Sequence, residues 1–164
     1  MLTIFRNDRG MTLAEILVAV AIIGVGLIAL AAVIPLASYG MQEGNQLSTA
    51  TFLANQRLEQ VRNANWTLSP AADNLGISPS ATTPPQSGAT VTFPDESPLA
   101  APYAGYIRTV RVTDCGVGAG CGGITNAGLR QVTVTVSYAP LTGVGQAATG
   151  TRKSAVLTMY IAQR

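Results

Sequence analysis

The segment that decides the fold lies near the start of the chain, where residues 9–37 read RGMTLAEILVAVAIIGVGLIALAAVIPLA. After Arg9, the only charged residue in this segment is Glu15. The uncharged stretch from Ile16 to Leu36 is about 30 Å long as an α-helix, which matches the hydrocarbon core of a bilayer. The sequence therefore predicts one membrane-spanning helix.

The basic residues around this helix predict its orientation. Arg6 and Arg9 precede it, and the next basic residue is Arg57. Because positively charged flanks stay in the cytoplasm, we expect residues 1–10 there and the remainder of the chain on the other side of the membrane.

The carboxylate of Glu15 calls for a partner, since a charged residue at the centre of a membrane helix costs about 2.5–3.5 kcal/mol by insertion scales. An ordinary secretory signal peptide is the alternative interpretation, with Ala29-Leu30-Ala31 as its cleavage site. Two observations argue against it. An acid would lie inside the apolar region of the signal, and the apolar run continues past Ala31.

The stretch from Gly10 to Glu15 resembles the prepilin motif of type IV pilins and type II secretion pseudopilins: a glycine, an apolar residue, then Thr-Leu-x-Glu. The resemblance implies that a membrane prepilin peptidase cleaves after Gly10 and methylates the new amine of Met11. Cleavage there would place a cation about one helical turn from Glu15. The resemblance further implies that this acid neutralises the amine of a neighbouring subunit, which offsets the desolvation of both charges.

Three residues are expected to weaken the apolar helix. Pro35 removes a backbone hydrogen bond, and Gly24 and Gly26 each lower helix stability by about 1 kcal/mol relative to alanine. Many members of the family that the motif resembles carry a proline where this chain has Ala32, and here the proline is Pro35. The resemblance implies that a segment between such residues can melt as subunits pack.

Beyond the apolar run, a helical pattern continues on one face of residues 38–63. Apolar residues recur there at every third or fourth position; they are Leu47, Ala50, Ala54, Leu58 and Val61. We therefore expect a single helix of about fifty residues whose second half is covered by a domain.

The covering domain is predicted to be a sheet. Residues 106–112, 129–138 and 154–161 alternate apolar and polar side chains, which is typical of half-buried strands. Joined by short glycine-rich connections, they are expected to form an antiparallel meander with one face on the helix. The predicted fold class is α+β, a long N-terminal helix packed against an antiparallel sheet, and the resemblance implies the same pilin-like layout.

The proline-rich stretch within residues 63–102 is expected to form a long surface loop. Trp66 and Phe93 are expected to fix it to the core, and residues 89–93 to add a short edge strand. The predicted organisation has four parts: a cytoplasmic leader at 1–10, a membrane and filament-core helix at 11–37, an amphipathic continuation at 38–65, and a β-rich head at 66–164 that includes the proline-rich loop at 66–102.

Cys115 and Cys121 lie outside the cytoplasm in this topology, so an oxidised pair that closes the loop between two strands is expected. A zinc site of the usual type needs more cysteine or histidine ligands, and the chain has no histidine. A redox pair usually has the tighter Cys-x-x-Cys spacing.

The residue inventory argues against several classes of function. The absence of histidine removes the commonest general base and metal ligand, and the chain has no Walker-type phosphate loop. We predict no enzymatic activity, no metal and no cofactor. With a net charge of +2, strong nucleic-acid binding is not indicated, and Arg108, Arg111 and Arg130 are interpreted as solvated strand residues.

Together with the apolar run, the resemblance to the prepilin motif implies a minor pilin or pseudopilin that is assembled into, or primes, a type IV pilus-like filament. Residues 57–63 and 129–136 loosely resemble the pilus modification type of minor pilin and the minor pseudopilin of type II secretion. The same features leave open a competence pseudopilin and a secreted binding module with an ordinary signal peptide. The resemblance implies four partners: the prepilin peptidase, other pilins through the N-terminal helix, the inner-membrane assembly platform and its ATPase. The expected location is the bacterial inner membrane, with a single pass, and then the filament.

Overall fold

The computed structural model describes residues 12–67, 72–140 and 151–163. Within them, helix α1 runs from Leu13 to Arg62 and is followed by strands β1 (Gln86–Ser87), β2 (Thr90–Val91), β3 (Tyr106–Asp114), β4 (Leu129–Tyr138) and β5 (Lys153–Ala162). β1 pairs with β2, and β3, β4 and β5 form an antiparallel sheet in chain order. The predicted α+β layout with a meander is confirmed.

Contacts divide the chain into two units, of which one ends at Met41 and the other begins at Gln42. The first unit contains the apolar part of α1. The second unit, called the head below, contains the remainder of α1 and all of the described strands.

The predicted helix breakers do not interrupt α1, which continues through Gly24, Gly26 and Pro35. Proline has no N–H to donate to the preceding turn of the helix. One turn further on, the hydroxyl of Ser38 donates to the carbonyl of Ile34 at 3.1 Å. Melting of this segment during assembly stays a prediction.

The core of the head is built from one face of α1 and one face of the sheet. Every second residue of β4 from Arg130 to Tyr138 is buried, in agreement with the predicted alternation. The predicted buried stripe of α1 was wrong at Leu47, whose side chain is 46% exposed. It also omitted Leu53, which is 1% exposed and belongs to the core. Sequence spacing gives the face of a helix, but it does not give the point at which the sheet begins to cover that face.

Two strand arginines face the core, so their interpretation as solvated residues was wrong. Arg108 is 6% exposed and Arg130 is 3% exposed. In β3, Arg108 shares the inner face with Val110 and Val112, and Ile107 lies half-buried on the other face. The long aliphatic stem of arginine packs like an apolar residue while its guanidinium reaches a polar partner.

The proline-rich loop is tied to the outer edge of β3 by backbone hydrogen bonds. Glu96 and Arg108 exchange two N–H···O bonds of 2.9 Å each. Ser78 donates its N–H to the carbonyl of Val112 at 2.8 Å, and its hydroxyl accepts the N–H of Val112 at 3.0 Å. These contacts occupy backbone groups that an edge strand otherwise leaves free.

Arg111 fixes the same loop from the other face of β3. Its guanidinium donates to the carbonyls of Ala81 and Thr82 at 3.0 and 2.9 Å. It also donates to both carboxylate oxygens of Asp95, at 2.6 and 2.8 Å. This third strand arginine therefore organises the loop as well.

Residues 89–93, inside the loop, were predicted to add a short edge strand. They do not pair with the main sheet. Thr90–Val91 pairs instead with Gln86–Ser87 in a separate hairpin, and Gly88 between them has a φ of 60°. Trp66 is 2% exposed, and Phe93 is half-buried against the core. Both aromatic side chains pack as predicted.

The connections between the main strands, at 115–128 and 139–152, are longer than the short glycine-rich connections predicted. In the first of them, Cys115 and Cys121 form a disulfide with the sulfurs 1.98 Å apart. Gly120 has a φ of 71°, and a Cβ there would lie 2.1 Å from the carbonyl oxygen of Ile124. Only glycine fits this close approach.

Candidate functional site

The first unit of the chain exposes a large apolar surface. The large apolar side chains of α1 between Leu13 and Leu36 range from 50% exposed at Ile16 to 76% exposed at Leu13. An 18-residue window of this helix has a mean hydropathy of 3.0, and the helix is long and apolar enough to cross a membrane. Soluble monomers rarely expose contiguous apolar patches of this kind, so the surface calls for lipid or other helices.

Glu15 lies in the first turn of α1 and is hydrogen-bonded to Thr12. Its Oε2 atom accepts the backbone N–H of Thr12 at 3.0 Å and the Thr12 hydroxyl at 3.2 Å. In return, Thr12 Oγ1 accepts the backbone N–H of Glu15 at 3.3 Å. This reciprocal arrangement is a capping box, which satisfies free N–H groups at a helix start.

The helix face next to this carboxylate is apolar. Val18, Ala19 and Ile22 line a shallow groove that begins at Thr12 and Glu15. These residues recur at the spacing of one helix face. The groove therefore offers a charged group at one end of an apolar strip, which is the surface that a second apolar helix with a cationic end could contact.

The predicted processing residues Gly10 and Met11 lie outside the described residues. So does the amine that cleavage would create, which was the predicted partner of Glu15. The structure thus shows the contacts of Glu15 within the chain. The pairing of its charge with an amine stays a prediction.

Sequence reasoning missed the role of Thr12. The signal was present, because a threonine followed three residues later by a glutamate, just before an apolar run, is the sequence signature of a capping box. Glu15 therefore has two separable properties, a hydrogen-bond acceptor for the helix start and a negative charge.

A second charged cluster lies in the head, where Arg57, Glu96 and Arg108 meet. Arg108 Nε donates to Glu96 Oε2 at 2.5 Å, and this hydrogen bond lowers the pKa of the Glu96 carboxyl. Burial lowers the pKa of Arg57, whose guanidinium lies 5.2 Å from the ring centroid of Phe93. The cluster joins α1, the proline-rich loop and β3, and we interpret it as structural.

Comparison with known proteins gives a match at the N-terminal end of the chain, where Glu15 and the exposed apolar helix lie. Residues 5–31 match the family model of the prokaryotic N-terminal methylation motif. This match confirms the resemblance read from residues 10–15, and it includes the first part of α1 but none of the head. No curated protein and no solved structure matches the chain.

Proposed function

We propose that this chain, which carries the type IV pilin and pseudopilin signature at its N-terminus, is a minor subunit of a type IV pilus-like filament. The observation that carries the proposal is the motif match at residues 5–31, which overlaps the start of a helix, Leu13–Arg62, that is long and apolar enough to cross a membrane. The last part of the same helix contributes to the core of the head. Such a helix serves as a membrane anchor before assembly and as a filament core after it.

In this proposal, the prepilin peptidase cleaves between Gly10 and Met11 and methylates the amine of Met11. Thr12 keeps its backbone N–H after that cleavage, so the capping box with Glu15 is retained in the mature subunit. The carboxylate has acceptor capacity beyond its two bonds to Thr12, since an ionised carboxylate offers about four lone-pair sites. The Glu15 carboxylate can therefore keep its hydrogen bonds to Thr12 and, at the same time, pair with the amine of a neighbouring subunit.

The other partners in this proposal follow from the route to the filament. The apolar face of α1 contacts the helices of other pilins, and an inner-membrane platform with its ATPase drives assembly. The chain waits in the inner membrane with the head outside the cytoplasm. The exposed apolar surface between Leu13 and Leu36 supports this arrangement. Lipid covers it while the chain is in the membrane, and the helices of other subunits cover it in the filament.

The first test is the N-terminal mass of the protein purified from its native membranes. A chain that begins at methylated Met11 supports the proposal. A start near Ala32 would identify a secreted domain with an ordinary signal peptide, and a chain that retains residues 1–10 would identify a plain membrane anchor. A Gly10→Val variant is the matched control, since a bulky residue at the cleavage position is expected to leave the leader in place.

The second test separates the charge of Glu15 from its capping role. Glu15→Gln removes the charge but keeps an acceptor for Thr12, because glutamine also completes a capping box. Thr12→Val removes the capping hydroxyl and keeps the charge. If charge pairing drives assembly, Glu15→Gln is expected to be lost from purified filaments while Thr12→Val is retained. Normal incorporation of Glu15→Gln would contradict the pairing role.

A further inference from the structure

The two ends of the head can be told apart by the contacts between α1 and β5. At one end, Glu43 of α1 forms an ion pair with Lys153, the first residue of β5. At the other end, Arg62 of α1 and Ala162, the last residue of β5, line the same cleft. α1 and β5 therefore run in the same direction through the head. The end that contains Glu43 and Lys153 is called the near end below, and the opposite end is called the far end.

The near end is close to the point where the chain leaves its apolar run. That run ends at about Ala37, and Glu43 follows six residues later in the same helix. Six residues of α-helix are about 9 Å long. The headgroup layer on each side of the hydrocarbon core is about 5–7 Å thick. When α1 spans a bilayer, the near end is therefore in this layer or only a few ångströms beyond it.

Tyrosine side chains are concentrated around the near end, which holds or adjoins four of the five tyrosines of the chain. Tyr106 at the start of β3 is the register partner of Tyr138 at the end of β4. Tyr103 packs edge-on against Tyr106, with ring centroids 6.4 Å apart, and both are half-buried. Tyr39 lies in α1 just after the apolar run and is 38% exposed. Tyrosine is enriched at membrane–water interfaces, because its ring is apolar and its hydroxyl is polar.

Two adjacent basic residues, Arg152 and Lys153, lie at the same end. Arg152 is exposed. Its guanidinium donates to the backbone carbonyls of Gly105 and Ser137, each at 3.0 Å, which holds this side chain at the near end. Basic side chains with long apolar stems are suited to the headgroup layer, where the charge can reach a lipid phosphate.

The acids around these two residues leave the near end positively charged. Glu43 offsets one of the two charges through its ion pair with Lys153. The acids of the neighbouring proline-rich loop, Asp95 and Glu96, are each paired with an arginine of β3. A positive surface attracts anionic phospholipids over a distance of about 10 Å at moderate ionic strength.

We propose that the near end of the head binds an anionic phospholipid surface while the chain is anchored through α1. Arg152 and Lys153 contact the lipid phosphates, and Tyr39 and Tyr103 lie in the interfacial layer. This inference rests on the membrane-spanning role of α1 in the proposed function. It adds a second contact with the membrane, made by the head itself, and assembly into a filament has to break that contact.

The test places a fluorescent probe at either end of β5 in the full chain, reconstituted into vesicles of equal parts phosphatidylcholine and phosphatidylglycerol. Ser154 and Ala162 are both exposed, and about 27 Å of strand separates them. A cysteine introduced at either position is labelled selectively, because Cys115 and Cys121 are joined in a disulfide. A spin label on the lipid headgroup quenches only nearby probes. Ser154→Cys is therefore expected to be quenched at least about threefold more than the control Ala162→Cys.

Charge variants distinguish lipid binding from simple proximity, since α1 keeps the near end close to the membrane in either case. Arg152→Gln combined with Lys153→Gln is expected to lower the quenching of Ser154→Cys by at least about half. Vesicles of phosphatidylcholine alone are expected to give a similar reduction. Arg62→Gln is the matched control at the far end, where the side chain is 59% exposed, and it is expected to change nothing. Unchanged emission from Trp66 verifies that each variant is folded.

Equal quenching of Ser154→Cys and Ala162→Cys would overturn the inference. So would quenching that neither the double variant nor the removal of phosphatidylglycerol reduces. Flotation of the same vesicles keeps this result apart from the proposed function. A chain that floats with the vesicles but shows equal quenching contradicts only the lipid contact of the head. A chain that does not float contradicts the anchor through α1, and with it both proposals.

Discussion

Arg130 in the central strand holds Asp73 by both carboxylate oxygens, with Nη1 at 2.8 Å from Oδ1 and 2.7 Å from Oδ2. The two side chains are 4% and 8% exposed. The guanidinium carbon also lies 4.2 Å from the ring centroid of Trp66. Asp73 accepts the N–H groups of Leu75 and Gly76, so this pair fastens the segment after α1 to the sheet.

Asp73→Asn is expected to destabilise the head by about 3–5 kcal/mol, because it leaves the charge of Arg130 buried without a counter-charge. The free energy of unfolding in denaturant, followed by the emission of Trp66, measures the loss. Trp66 is the single tryptophan of the chain. Asp95→Asn is the control, since Asp95 and Arg111 are more exposed and their pair is worth at most about 1 kcal/mol. Similar losses in the two variants would contradict the interpretation.

The stability of the head is expected to decrease in acid because of Glu96. The hydrogen bond from Arg108 lowers the pKa of this carboxyl in the folded chain. Its contribution to stability is therefore complete above the unfolded pKa of about 4.3 and is lost as the pH falls through the folded pKa. Denaturant unfolding between pH about 6 and 3 is expected to show a shallower decline for Glu96→Gln than for wild type.

The control for this pH dependence is Glu59→Gln, because the side chain of Glu59 is 62% exposed. It is expected to follow the wild-type curve. An unchanged slope in Glu96→Gln would show that other carboxylates set the acid response.

Alanine at Gly24 and Gly26 is expected to stabilise this part of α1 by about 1 kcal/mol per substitution. A Cβ meets no atom within 4 Å at either position, so the gain is not offset by a clash. If this segment melts during assembly, the double variant exchanges backbone hydrogen more slowly and enters filaments less. Ala29→Gly, which weakens the same helix, is the control. Slower exchange with normal filament content would argue that melting is not required.

Replacing both Cys115 and Cys121 by serine is expected to lower the unfolding free energy by about 2–3 kcal/mol, since the short closed loop restricts the unfolded chain. Chemical reduction of the wild-type protein is expected to give the same loss. A double variant as stable as the wild type would mean that the hydrogen bonds of the 115–128 connection fix the loop without the disulfide.

Local sequence patterns were enough for the long helix and the three strands of the main sheet. Hydropathy identified the apolar part of α1, and alternation identified β4 with its bounds at Leu129 and Tyr138. Both signals act over a few neighbouring residues, because a helix or a strand exposes one face at a fixed period. The acid of the N-terminal motif was found in the same way, as a charge in an apolar run.

The same patterns failed where a residue's environment depends on distant parts of the chain. Arg108 and Arg130 were interpreted as solvated, since a charged residue in a strand normally faces water. Their partners Glu96 and Asp73 come from the proline-rich segment, which has no periodicity to place it.

Composition and short-range periodicity were thus sufficient for the apolar helix, the N-terminal motif and the order of the strands. The burial of particular charges and the covered edge of the sheet became visible only in the folded chain. A buried charge or a strand edge is stabilised by a partner that is close in space but distant in the sequence. A local sequence pattern therefore cannot identify that partner. Residues far apart in the chain supply it, as Asp73 does for Arg130 and Glu96 for Arg108.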